Sequence, residues 1–146
     1  MNRSDVEGAE LRRVKGVGQM GLMVPRGKTT NPASYATAGA QTLTAADVLS
    51  GIIVADPNGA GRTYTFPTAA LLVAAIPGVA IGDVITCLVI NGADANEVLT
   101  LAAGSGGGWD TNETSSARNI QQNAQKLVAI RFTGVASGSE AYVMYA

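Results

Sequence analysis

The chain contains no histidine, a single cysteine and few aromatic residues: two Phe, one Trp and four Tyr among 146 positions. Without histidine, the commonest general base and the commonest nitrogen metal ligand are both missing. One cysteine excludes an intrachain disulfide and a cysteine-cluster metal site. That residue, Cys87, sits in the run Ile85-Thr86-Cys87-Leu88-Val89, where a thiol reads as a small buried hydrophobe. Scarce aromatics exclude a base-stacking surface of the kind that grips single-stranded nucleic acid. Charged residues make up only 14% of the chain, and no apolar run approaches the ~18–20 residues needed to span a bilayer. The stretch from Met1 to Lys15 carries mixed charge rather than the apolar segment of a secretion signal. The product is therefore expected to stay in a cytosol unless a particle carries it out.

What is present is small and aliphatic. Hydrophobic residues reach 47%, and there are 18 glycines. Ala, Val, Ile and Leu must supply most of the interior, interrupted by many turns. A chain of this length fits one domain, large enough to build a core without staples. The net charge of −1 hides a segregation. Residues 1–40 hold six basic and three acidic side chains, a net +3, whereas residues 41–146 hold four basic and eight acidic ones, a net −4. A basic arm on a mildly acidic body is the expected organisation. The alternative for the arm is a solvated tail without a partner.

Within the arm, Ser4 and Glu7 have capping-box spacing, with basic residues at the far end of a short helix reaching Lys15. Gly8 weakens that helix, and three turns alone are marginal in water. From Gly16 to Gly39 the punctuation by Gly and Pro is too dense for regular structure. The expected division is therefore an extended arm over 1–40 and a β body over 41–146. In the body, Thr44 and Asp47 cap a single turn before a strand at Gly51–Ala55. Asp56-Pro57-Asn58-Gly59 is turn chemistry, and Arg62–Phe66 returns as a strand. Thr68 caps a short helix over Ala69–Ile76, stopped by Pro77-Gly78. The apolar run from Asp83 to Ile90 reads as a central strand covered on both faces. Glu97–Ala102, Lys126–Thr133 and Ala141–Tyr145 alternate as half-buried strands, and Gly104–Gly108 reads as a flexible loop. No internal repeat of fixed period is visible. The spacing of strands and turns indicates a β-sandwich or barrel with one or two short helices.

Motifs that suggest chemistry lack their context. Gly16-Val17-Gly18-Gln19-Met20-Gly21 matches a dinucleotide fingerprint, but no strand precedes it and Pro25 follows at once. Gly21 to Thr29 resembles a phosphate loop with one residue too many between its glycines, and Pro32 denies it a helix. Carboxylates occur singly. Asp94 and Glu97 flank a turn and read as solvated turn residues rather than a cation site. A nucleophilic Ser would need a lysine base, and Lys126 stands near no such pattern. No catalytic, cofactor-binding or metal-ligating set is assembled, so the expectation is a binding and structural module rather than an enzyme. Trp109, after the glycine run, is either an interface anchor or a lid over the open end of a sandwich.

From Gln41 to Tyr145 the chain resembles a jelly-roll module of tailed-bacteriophage virion proteins, most closely head decoration (cement) proteins. The residues that carry the resemblance are Leu43-Thr44-Ala45-Ala46-Asp47-Val48-Leu49-Ser50-Gly51, Asp56-Pro57-Asn58-Gly59 and Phe66-Pro67-Thr68-Ala69-Ala70. It continues through Gly82-Asp83, Val89-Ile90-Asn91, Leu99 to Gly104, and Gly138 to Val143. The resemblance implies a jelly-roll body, a symmetric homo-oligomer (a trimer ahead of a dimer) and the major capsid protein as partner. The expected location is the capsid surface of a virion assembled in the host cytoplasm, with no membrane and no direct nucleic-acid contact. The arm lies outside the resemblance. Its charge and punctuation make Arg3, Arg12, Arg13, Lys15, Met20, Leu22, Arg26 and Lys28 the candidate capsid contacts. The rival reading is a fibre or tail-tip module that binds host-surface carbohydrate or protein.

Overall fold

The computed structural model describes residues 33–146. They form ten strands in two sheets, two short α-helices and one 3-10 turn. In chain order these are β1 (Ala33–Tyr35), β2 (Gln41–Thr42), α1 (Ala45–Leu49), β3 (Ile52–Ala55), β4 (Arg62–Thr65) and α2 (Ala69–Ala75). Then come β5 (Val84–Asn91), β6 (Leu99–Ala102), β7 (Gly107–Trp109), the 3-10 turn (Ser115–Arg118), β8 (Asn119–Ile120), β9 (Gln125–Gly134) and β10 (Ala141–Tyr145). One sheet has the order β1-β3-β5-β9-β10-β7, the other β2-β4-β6-β8.

From β1 to β9, every successive strand changes sheet. The first six are thus laid down as a coil, with β1, β3 and β5 parallel in one layer and β2, β4 and β6 parallel in the other. Ala33 stands opposite Ile53 and Ile53 opposite Val89, steps of 20 and 36 residues. Gln41 stands opposite Tyr64 and Tyr64 opposite Leu101, steps of 23 and 37. Because the steps are unequal, the winding leaves no fixed period in the sequence. Five of the eight pairings are parallel, whereas jelly-roll sheets are antiparallel. The mostly β, two-sheet character expected from the sequence is present, with two short helices.

The helices form where their caps dictate. In α1 the Thr44 hydroxyl accepts from Asp47 N, and the Asp47 carboxylate accepts from Thr44 N at 2.7 Å, a reciprocal capping box. In α2 the Thr68 hydroxyl accepts from Leu71 N, and Ala69 and Leu72 face the core. Inward residues of both sheets share that core. Ile53, Cys87, Val89, Val128, Ile130, Phe132 and Met144 come from the larger sheet, and Tyr64, Leu99, Leu101 and Ile120 from the smaller.

Two expectations are corrected by the fold. Ala33–Tyr35, placed in the arm, pairs with β3, so the body starts before residue 41. The Tyr35 ring packs edge-on against Tyr64, with centroids 5.7 Å apart. The glycine run after Gly104 is also no loose loop, because Gly107–Trp109 is strand β7 beside β10. The glycines are there for close approach: a Cβ on Gly107 would lie 2.1 Å from the Tyr142 ring, and one on Gly104 would lie 2.4 Å from the Phe66 carbonyl. Buried Tyr142 accepts from Gly104 N and donates to the Pro67 carbonyl, both at 2.9 Å, joining β10 to the segment before α2. Tyr142→Phe should cost about 1–3 kcal/mol by stranding those two backbone groups. Gly107→Ala should cost about as much through overpacking. Urea unfolding of both variants checks this, and a midpoint unchanged in either contradicts it.

Candidate interaction surface

The interior offers little to chemistry. Cys87 is buried, and burial pushes its thiol pKa up to about 12, so it stays protonated and unreactive. Among the described residues, no three His, Cys, Asp or Glu side chains come together as a metal site, and no helix is long and apolar enough to cross a membrane. Of the eight carboxylates in 41–146, seven accept a backbone N–H. Asp47, Asp56 and Asp83 take those of Thr44, Asn58 and Ala80. Glu97, Asp110, Glu113 and Glu140 take those of Gly59, Asn112, Ala146 and Gly138. They secure turns and chain ends.

Glu97 departs from its expected place in solvent. It is 5% exposed, its Oε1 accepts from Gly59 N at 2.5 Å, and its Oε2 is buried without a partner. Its backbone is engaged too, by Asn91, which is wholly buried at the end of β5. The Asn91 amide donates to the carbonyls of Glu97 at 2.8 Å and Ile120 at 2.9 Å, and its oxygen accepts from Ala93 N. The Glu97 residue is thus held twice, its carbonyl by Asn91 and its carboxylate by Gly59 N in the Asp56–Gly61 turn.

Asp47 has a third partner besides its own cap: the Tyr35 hydroxyl donates to it at 2.5 Å. Burial alone would raise the Asp47 pKa, but hydrogen bonds from Thr44 and Tyr35 outweigh it and hold the carboxyl below its usual value. Burial and the adjacent carboxylate push Tyr35 up to about 12. The pair fixes β1, and hence the place where the N-terminal segment enters the body.

The surface is the more informative part. On the outer side of the six-stranded sheet, register places Ile52, Leu88 and Leu127 in one row across β3, β5 and β9. The next row along β3 and β5 begins with Val54 and Ile90. Ile52 is 42% and Leu127 59% exposed. The expectation that β5 is covered on both faces therefore fails among the described residues. Its inward side is sealed by Cys87, Val89 and Asn91, while Thr86 on the outer side is exposed. Leu127, an apolar residue in register with the polar positions of β9, is the signal of this in the sequence.

Trp109 lies on edge strand β7, half-buried against the core, with the Arg118 guanidinium 5.5 Å from its ring centroid. The ring is thus sandwiched between core and cation, an arrangement that stabilises it where it stands. The candidate capsid contacts Arg3, Arg12, Arg13, Lys15, Met20, Leu22, Arg26 and Lys28 lie outside the described residues.

The inward placement of Glu97 is open to a direct test. Glu97→Ala should cost about 1.5–3 kcal/mol, the worth of a hydrogen bond to a charged acceptor. Glu97→Gln keeps an acceptor for Gly59 N and should cost less. Denaturant midpoints for the two variants measure the difference, and an alanine variant as stable as the parent would return Glu97 to the surface. The chain matches no protein-family model, no curated protein and no solved structure.

Proposed function

We propose that this protein is a virion structural component that binds the outside of a tailed-phage capsid and stabilises it by bridging neighbouring major capsid protein subunits. The observation that carries the reading is the charge division between a net +3 over 1–40 and a net −4 over 41–146. A small, chemically quiet β body with a basic segment at one end suits attachment to an acidic repeating surface better than turnover of a substrate. The commitment of carboxylates to backbone N–H groups supports the same reading, since such groups are held as turn acceptors rather than presented in pairs for acid–base work.

In this reading the body sits over a junction and the basic residues Arg3, Arg12, Arg13, Lys15, Arg26 and Lys28 reach acidic groups on adjacent subunits. Each contact is individually weak, because exposed ion pairs contribute about 0–1 kcal/mol. A symmetric homo-oligomer, a trimer ahead of a dimer, multiplies them through avidity. The jelly-roll kinship belongs to the same proposal. A two-sheet body carrying the quoted turn residues supports it, and the parallel pairings are where this chain departs from it. Trp109 enters the proposal as an interface anchor only at its edge strand, with Arg118 beside it.

The experiment is co-sedimentation of the full chain with undecorated particles across a salt series, comparing the parent with the variant carrying Arg12→Glu, Arg13→Glu and Lys15→Glu. The parent should bind less as salt rises, since charges separated by more than ~8–10 Å are screened at physiological ionic strength. The variant should bind roughly tenfold or more weakly at low salt, equivalent to about 1.4 kcal/mol. Equal binding of both at every salt concentration would remove the arm from the contact and favour the fibre or tail-tip reading.

A further inference from the structure

The chain holds two Asn-Gly pairs, Asn58-Gly59 and Asn91-Gly92. Asparagine is chemically labile, and most so before glycine, which has no side chain to shield its backbone nitrogen. We propose that Asn58-Gly59 is a spontaneous deamidation site whose rate is set by Glu97, which holds the reaction in check while the body is folded. The proposal does not rest on the capsid reading.

The reaction fixes which groups must be free. Gly59 N loses its proton and attacks Cγ of the Asn58 side chain. A bond forms between that nitrogen and Cγ, the Cγ–Nδ2 bond breaks, and ammonia leaves with the proton. Water then opens the cyclic imide at either carbonyl, leaving an aspartyl or isoaspartyl residue at position 58. The imide nitrogen bears no hydrogen. The ring and a hydrogen bond donated by Gly59 N therefore exclude each other.

In the fold that hydrogen is committed. Gly59 N donates to Glu97 Oε1 at 2.5 Å. Removing the proton there sets a forming anion against a carboxylate, and like charges at that range repel. Losing the bond also leaves Glu97, 5% exposed and with Oε2 already unpartnered, without a donor on either oxygen. The neighbouring N–H, that of Asn58, goes to a carboxylate as well, Asp56 Oδ1 at 3.0 Å. The leaving amide is tethered: Asn58 Nδ2 donates to the Ala36 carbonyl, just after β1, at 3.4 Å. Asn58 and Gly59 are both left-handed, with φ of 50° and 93°, a conformation these two residue types adopt readily. Both are exposed, so water reaches the pair, and its protection comes from hydrogen bonds rather than burial.

The second pair is an internal reference. Asn91 is wholly buried with its side-chain nitrogen and oxygen both bonded, and Gly92 N donates to the Ala55 carbonyl at 2.8 Å. It reacts only through unfolding. At position 58 the modification has a local consequence. Exchanging Nδ2 for oxygen removes the donor that faces Ala36 and adds a carboxylate to a turn already held by Asp56 and Glu97. The modified turn loses its tie to the end of β1.

The test incubates the full chain and its Glu97→Ala and Glu97→Gln variants in mildly alkaline buffer. Peptide mass spectrometry follows deamidation at positions 58 and 91, and the parent is run a second time in urea sufficient to unfold it. Unfolding exposes both pairs alike, so the excess of the rate at 58 over that at 91 measures the local route. Position 58 is expected to react roughly tenfold or more slowly in the folded parent than in the unfolded one, equivalent to about 1.4 kcal/mol of barrier. Glu97→Ala should raise the excess at 58 by a similar factor, since it keeps the carbonyl that Asn91 holds and removes only the carboxylate. Glu97→Gln retains an acceptor and should raise the excess less. An excess unchanged by either variant would overturn the proposal. A parent that reacts at 58 as fast when folded as when unfolded would overturn it without any variant.

Discussion

The two sheets are tied at Asn91. Its side chain hangs from the last residue of β5 in the larger sheet and donates to the carbonyls of Glu97 and Ile120, which flank and end strands of the smaller one. With no exposure and three hydrogen bonds, both amide N–H groups and the oxygen are engaged. Buried carbonyls need such donors, because the chain crosses between layers at nearly every connection and crossing segments cannot satisfy themselves as a ladder does. Beside it, the Glu97 carboxylate adds a second tie by accepting from Gly59 N in the Asp56–Gly61 turn. Tyr142 does the corresponding job at the other end, joining β10 to Gly104 and Pro67.

Strands with strong alternation are legible in the sequence. β9 shows Val128, Ile130 and Phe132 inward as the pattern requires, and β6 does the same with Leu99 and Leu101. Both helix caps are legible because Thr44 and Thr68 act locally. The short strands β1, β2, β7 and β8 are not, since two or three residues carry no period and their pairing is decided by distant partners. The glycine run misleads for a related reason: in sequence, a glycine that admits the Tyr142 ring looks the same as one that loosens a loop. Glu97 misleads because the N–H its carboxylate accepts from belongs to Gly59, 38 residues away. Of the candidate contact residues only Trp109 falls among the described ones, and its cation partner Arg118 is nine residues away, a spacing no motif encodes.

The parallel coil has a cost in assembly and a return in shape. No two consecutive strands pair until β9 and β10, so nearly all sheet contacts close long loops, a topology that folds slowly. What results is a body whose outer sheet face is nearly free of charge and whose N-terminal edge is pinned by Tyr35 to Asp47 and Tyr64. β1 is therefore held as a fixed edge beside an apolar face.

The proposed function turns on position on a particle. The most direct measurement is an image reconstruction of the purified virion at a resolution that distinguishes the two sheets. The body is expected on the outer shell, over junctions between major capsid protein subunits, as copies related by local symmetry. Density for the body at the end of a fibre or tail, with an undecorated shell, would contradict the proposal.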